Sequence, residues 1–234
     1  MNAPGRELAH VASAEARGAD LLLVPVGSIE QHGPHLPLDT DTVIARAVAL
    51  EVADLLTASG TTTWVSPAIS LGSSGEHQDF CGTVSIGTEV LRLVAVETVR
   101  SARTWVPRVV FVNGHGGNLD ALDSAVSQLL EEGHDVAWAP CAPPGADPHA
   151  GRTETSVMLG LRPESVRRDL AERGSTLPLR ETLSAMRVGG VSAVSANGVL
   201  GDPTGATADE GRHLVAAMVD AVRAVASPLE RVAG

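Results

Sequence analysis

"RVVFVNGHGGNLDALDSAVSQLLEEG", residues 108–133, is the stretch whose reading decides the fold. Its first seven residues are an apolar run ending in glycine and form the clearest strand candidate in the chain. Residues 118–133 repeat apolar positions at helical spacing and stop at Gly133, which marks an amphipathic helix with a glycine terminator. Strand, glycine-rich turn and helix in immediate succession make a β–α unit.

The same pattern recurs on either side. "DLLLVPVG" (20–27) and "TTWVSP" (62–67) read as strands, and "DVAWAP" (135–140) as another. "TVIARAVALEVADLLTAS" (42–59) places Ile44, Val48, Val52 and Leu55 at helical spacing, with Thr40 or Asp41 expected to cap its start. A further helix is expected over 88–105. Alternating strands and helices imply a mostly parallel sheet with helices on both faces, an α/β class. Beyond 140 the pattern loosens. Residues 141–152 read as loop, 153–161 as a helix beginning near Glu154, and 207–226 as the last helix. The stretch 181–207 has no steady period. With no repeat and no low-complexity linker, 1–234 is expected to form one domain.

Composition narrows the function classes. The chain is 44% hydrophobic and 19% charged, which suits a globular core. Two Phe, three Trp and no Tyr leave that core to Ala, Val and Leu. A net charge of −11 with no Lys/Arg-rich block argues against nucleic acid or an anionic membrane as partner. Cys81 and Cys141 form no CxxC pair, and the opening "MNAPGRELAH" has no basic-then-apolar signal pattern. "LLLVPV" is far too short to span a bilayer. A cytoplasmic protein in a reducing compartment is expected.

In open parallel sheets, sites form beyond the carboxyl ends of the strands. Polar clusters at 28–41, 73–79 and 113–118 each follow a strand candidate. In the first, Glu30 and His32 are two apart and point to one side of an extended segment, and Asp39 and Asp41 repeat that spacing at the mouth of a helix. Carboxylate plus imidazole suits zinc or a similar divalent ion, whereas a lone Asp there would serve as a helix cap. "NGHGGN" (113–118) puts His115 among glycines that let a ligand approach the backbone. It lacks the Lys of a phosphate loop and does not fit the dinucleotide fingerprint, so a nucleotide-binding module is disfavoured. "HAGRTETS" (149–156) adds His149 and Glu154, the latter near a helix start that favours a carboxylate for its dipole alone. Glu76 and His77 sit on a loop, and "LGSSGE" is no nucleophile elbow.

At "GSIEQHGPHLPLDTDT", "SGEHQDFCGTVSIGT", "VNGHGGN" and "HAGRTETS", in that order over about residues 20–160, the sequence resembles the creatininase family of metal-dependent amidohydrolases. The tail "MRVGGVSAVSANGVLGDPTGATADEG" (186–211) resembles a branch of that family that trims a modified precursor peptide during redox-cofactor biosynthesis. The resemblance implies a three-layer α/β/α sandwich and two divalent ions per chain, zinc at one position and Fe(II), Mn or Zn at the other. Carried over by motif, Glu30 and His115 hold one ion, His32 the other, and Asp41 bridges, which leaves Asp39 to capping or support. His149 matches a residue implicated in proton transfer. His35, Glu76, His77, Asn113 and Asn118 are expected to contact substrate or support the ligands. The family's metal-binding Glu two residues after the NGH histidine is replaced here by Gly117, so Glu154 is expected to supply the missing carboxylate to the His32 ion. "PCAPPGADP" (140–148) lacks the Trp that creatininase proper uses beside its small cyclic substrate. Both departures point away from creatinine and toward amide hydrolysis of the modified precursor peptide, by a homo-oligomer of the kind common in the family. A creatinine or formamide hydrolase and a non-catalytic metal protein are the rivals.

Overall fold

A computed structural model describes residues 5–227 of the chain; residues 1–4 and 228–234, which the one-domain expectation also covers, lie outside it. Four strands, β1 (Leu21–Val26), β2 (Thr63–Val65), β3 (Val109–Asn113) and β4 (Val136–Pro140), form one sheet in the order β2-β1-β3-β4. Every pairing is parallel, with Leu22 opposite Val109 and Val26 opposite Asn113 in the central ladder. The chain leaves β1 to one side to build β2, then crosses back to build β3. The order therefore reverses between β1 and β3, where parallel sheets open a crevice at their carboxyl ends.

Both faces are covered. Helices α1 (Thr40–Ala58), α4 (Arg152–Leu161) and α6 (Ala208–Ala226) pack on the face that carries Leu21, Leu23, Val110 and Val112. Helices α2 (Thr88–Ala102) and α3 (Leu119–Glu131) pack on the face that carries Leu22, Val24, Val26, Val109 and Phe111. Alternate residues of one strand thus feed two separate cores, which is why β1 and β3 are apolar throughout. Each fully buried Leu or Phe stabilises the fold by ~1.5–3 kcal/mol relative to exposure. The result is the three-layer α/β/α sandwich.

The structure corrects three details. Neither Thr40 nor Asp41 caps α1: its N-terminus has no side-chain cap, the Thr40 hydroxyl donates to the Pro37 carbonyl at 2.7 Å, and Asp41 turns inward. Along α1 the buried stripe ends on Leu56, while Leu55 is 40% exposed. The stretch without a steady period hides a helix, α5 (Leu179–Gly189), because most of its residues face away from the core. Cys81 is exposed and Cys141 buried, and both are free thiols. No helix among the described residues is long and apolar enough to cross a membrane.

Candidate metal centre

The loop after β1 carries Glu30 and His32, the first turn of α1 carries Asp41, the loop after β3 carries His115, the approach to α4 carries His149, and the first turn of α4 carries Glu154. These come together at the β1/β3 crevice. Asp41 lies between two imidazoles: Oδ1 is 3.1 Å from His32 Nε2 and Oδ2 is 3.3 Å from His115 Nδ1. Glu154 stands 3.9 Å from His32 Nε2, and Glu30 Oε2 is 3.2 Å from His115 Nε2. Three donor sets result, each compact enough for one ion: Glu30/Asp41/His115, His32/Asp41/Glu154 and Glu30/His32/His149.

Glu30 gives the sharpest test of whether a cation fits. Its side chain is 0% exposed and neither carboxylate oxygen accepts a well-formed hydrogen bond. A buried carboxylate left so is costly unless something positive meets it. Here it faces His77 at 3.4 Å, His115 at 3.2 Å and His149 at 3.6 Å. Burial, the largest single influence, pushes its carboxyl up, but His115, by charge and hydrogen bonding, and His77 together hold it down to about 2. The donor chemistry, carboxylate oxygens with imidazole nitrogens, fits divalent zinc, iron or manganese.

Backbone contacts orient the rings. His32 Nδ1 donates to the Glu30 carbonyl at 3.1 Å, which leaves Nε2 for Asp41 and Glu154. His115 Nε2 donates to the Ser73 carbonyl at 3.2 Å, which leaves Nδ1 toward Asp41. His149 Nε2 donates to the Gln31 carbonyl at 2.8 Å, so its Nδ1 lone pair faces Glu30. Burial, helped by His32 and His77, holds His149 well below the usual imidazole range and therefore neutral. His32 goes the other way: burial opposes its charge, but Asp41 prevails and raises it to about 10. Burial raises Glu154 to about 7.

The remaining expected residues sort by position. Glu76 and His77 reach the centre. Glu76 Oε1 is 3.6 Å from His115 Nε2, and burial raises its carboxyl. His77 is held down to about 4 by burial. Asn113 and Asn118 face the scaffold: Asn113 Nδ2 donates to the His115 carbonyl at 2.8 Å, and Asn118 Nδ2 donates to the Gly27 carbonyl and to Asn113 Oδ1. His35 lies behind the site, with Nε2 2.8 Å from the Thr155 hydroxyl. Asp39 leaves the site altogether: it pairs with Arg162 at 3.0 Å on the surface and makes no cap.

Sequence reasoning missed Ser28 and Gln31. The Ser28 hydroxyl donates to Asp41 Oδ2 at 2.6 Å. Gln31 Nε2 donates to His77 Nδ1 at 2.7 Å and to the Gly198 carbonyl at 3.1 Å. Their position inside the ligand motif was the only signal available. Gly198 has φ +80, and a Cβ there would lie 1.9 Å from Gln31 Oε1, so this turn needs glycine. Gly117 is equally constrained: a Cβ would meet the Ser73 carbonyl at 2.3 Å, His115 Nε2 at 2.4 Å and Glu76 Oε1 at 2.6 Å.

A cavity of about 500 Å³ opens onto the centre. Asp41, Glu76, His115, His149 and Glu154 line it together with Leu179, Leu183, Met186 and Arg187 of α5.

Residues 7–226 match the family model for creatininase, creatinine amidohydrolase. The chain belongs to the creatininase family. This creatininase-family chain is 57% identical over 211 residues to the mycofactocin precursor peptide peptidase of Mycobacterium tuberculosis (strain CDC 1551 / Oshkosh), covering 88% of this chain and 84% of that one. It is 56% identical over 201 residues to the protein of the same name from Mycolicibacterium smegmatis, covering 86% and 81%. A crystal structure of creatinine amidohydrolase superposes with a TM-score of 0.79 at 24% identity, over 97% of this chain and 100% of that one, which shows the shared fold.

Proposed function

We propose that this chain is a metal-dependent peptidase that hydrolyses the amide bond before the modified C-terminal Val-Tyr unit of the mycofactocin precursor peptide, releasing the modified dipeptide for redox-cofactor biosynthesis. The observation that carries the chemistry is Asp41 placed between His32 and His115, with the orphaned Glu30 carboxylate beside them. The substrate class is supported by the relatives at 56–57% identity, whose names specify that peptide.

Glu30, Asp41 and His115 would hold one divalent ion and His32, Asp41 and Glu154 the second, zinc at one position and Fe(II), Mn or Zn at the other. When bound, such a pair supplies Lewis acidity toward water and toward the amide carbonyl. The chain itself does the rest. Ser28 fixes the Asp41 carboxylate, and the Glu30 and Ser73 carbonyls fix the two ligand imidazoles. His149 Nδ1, neutral and turned toward Glu30, accepts the proton that attacking water gives up. The same atom returns that proton to the amine nitrogen as the C–N bond breaks, so one carboxylic acid and one amine leave with no net proton uptake by the ring.

The test is to incubate metal-loaded protein with the radical-modified precursor peptide and identify products by mass spectrometry, with unmodified peptide and creatinine alongside. Release of the modified dipeptide is expected. Creatinine turnover with an intact precursor would overturn the assignment.

A further inference from the structure

Helix α5 is amphipathic, yet within the fold it buries only Thr182. Leu179, Leu183 and Met186, at i, i+4 and i+7, form one stripe along it. That stripe is not a core face: Leu179 is 41% exposed, and all three side chains line the cavity above the metal centre. Leu119, Pro148 and Leu200 continue the apolar wall. Three glycines apart, the rest of the lining is charged or imidazole: Arg187 on α5 beside the stripe, and Asp41, Glu76, His77, His115, His149 and Glu154 opposite it. One cavity thus has a reactive polar wall and an aliphatic wall, and its volume of about 500 Å³ lies within the ~300–1,000 Å³ span of small-ligand sites.

An amide presented to His149 and the carboxylates has the α5 stripe on the facing wall of the same cavity, within reach of its neighbouring group. We propose that Leu179, Leu183 and Met186 form the specificity subsite for a bulky apolar unit on the released side of the scissile amide. The proposal rests on the peptidase reading above and adds what the chain itself selects. Apolar side chains replace water along the stripe when the unit enters, and a polar or glycine-sized unit leaves the stripe wet.

α5 is anchored at its far end and not by the stripe. Gly190 follows it with φ +66, packed against the Glu76 carbonyl, and the Ser192 hydroxyl donates to Asp79 at 2.7 Å. Substitutions in the stripe therefore leave the two cores and the ligand set untouched.

The experiment separates binding from turnover. Titration calorimetry on metal-loaded protein uses the dipeptides Val-Tyr and Gly-Gly as probes, with wild type, Leu183→Asp and Met186→Ala. Val-Tyr is expected to bind wild type at least about tenfold more tightly than Gly-Gly. Leu183→Asp is expected to abolish that preference and Met186→Ala to reduce it, with melting temperature and metal content unchanged. Equal affinity of wild type for the two dipeptides, or a preference that survives Leu183→Asp, would overturn the subsite. In parallel, KM for the modified precursor should rise in the variants with kcat largely kept. Absence of precursor turnover by wild type would instead count against the peptidase reading, whatever the dipeptide result.

Discussion

Loading the centre with metal should expel protons, and the structure sets how many and at what cost. In the metal-free protein, His32 keeps its proton up to about 10, because Asp41 at 3.1 Å and Glu154 at 3.9 Å outweigh the opposing burial. His115 is raised well above the usual range, again against its burial, by Glu30 and Asp41. A cation needs those lone pairs, so both protons must leave. At about pH 7.5, deprotonating a group that titrates about 2.5 units higher costs ~3.4 kcal/mol of metal affinity. The affinity of the ion at His32 should therefore rise close to tenfold per pH unit from about pH 7 and level off near about 10. Calorimetry at one pH in buffers of contrasting ionisation enthalpy reads the release directly, expected on the order of two protons per loaded chain. A release near zero, or an affinity flat with pH, would refute the reasoning. The linkage also fixes how the stability of the metal-free protein varies with pH. The His32 contribution is complete below its ordinary value of 6.5 and is lost as pH rises through about 10. Glu154, raised to about 7, gives up its contribution in the same direction, between 4.5 and about 7. Glu30, lowered to about 2, contributes fully above 4.5 and loses its contribution as pH falls through about 2.

His149→Gln should lower kcat by about 10²–10⁴-fold with metal content unchanged; elemental analysis finding metal loss instead would make His149 a ligand. Ser28→Ala removes the hydroxyl that holds Asp41 and should weaken metal binding about 10–100-fold without altering the circular dichroism spectrum. Unchanged affinity in a competition titration would contradict that support role. Gly117→Ala drives a methyl into the Ser73 carbonyl and His115 and should cost the protein the ion held by His115, whereas Gly116→Ala meets nothing within 4 Å and should bind metal normally. Equal metal content in the two variants would refute the steric account.

The strands and most helices were legible because β1 and β3 are apolar on both faces and α3 has a clean helical period ended by Gly133. The candidate ligand set was legible for a different reason: Glu30, His32, Asp41 and His115 are costly to bury, so their crowding after strands required an explanation. Asp41 shows the limit of that reading. Its place in the first turn of α1 suits a cap, and the family resemblance, not the spacing, pointed to the position between two imidazoles where the fold puts it. Asp39, one turn of logic away, found Arg162, which lies far along the chain. Ser28 and Gln31 are ordinary polar residues whose roles come from partners brought in by α1, the loop after β2 and the tail. α5 escaped because a stripe that faces a cavity instead of a core spreads its apolar residues among exposed ones such as Val188, which is 92% exposed.

The pairing of β1 with β3 has a consequence for biogenesis. Glu30, His32 and Asp41 leave the ribosome early, while His115 and Glu154 follow only after α1, β2 and α2 have been made. Until β3 docks beside β1, the nascent chain carries three of the five proposed ligands with no frame to hold them. Ions captured at that stage meet loose donors that discriminate poorly. On the proposed ligand set, selection between metals would fall to the closed sheet, after synthesis, with the entering ion displacing the two imidazolium protons.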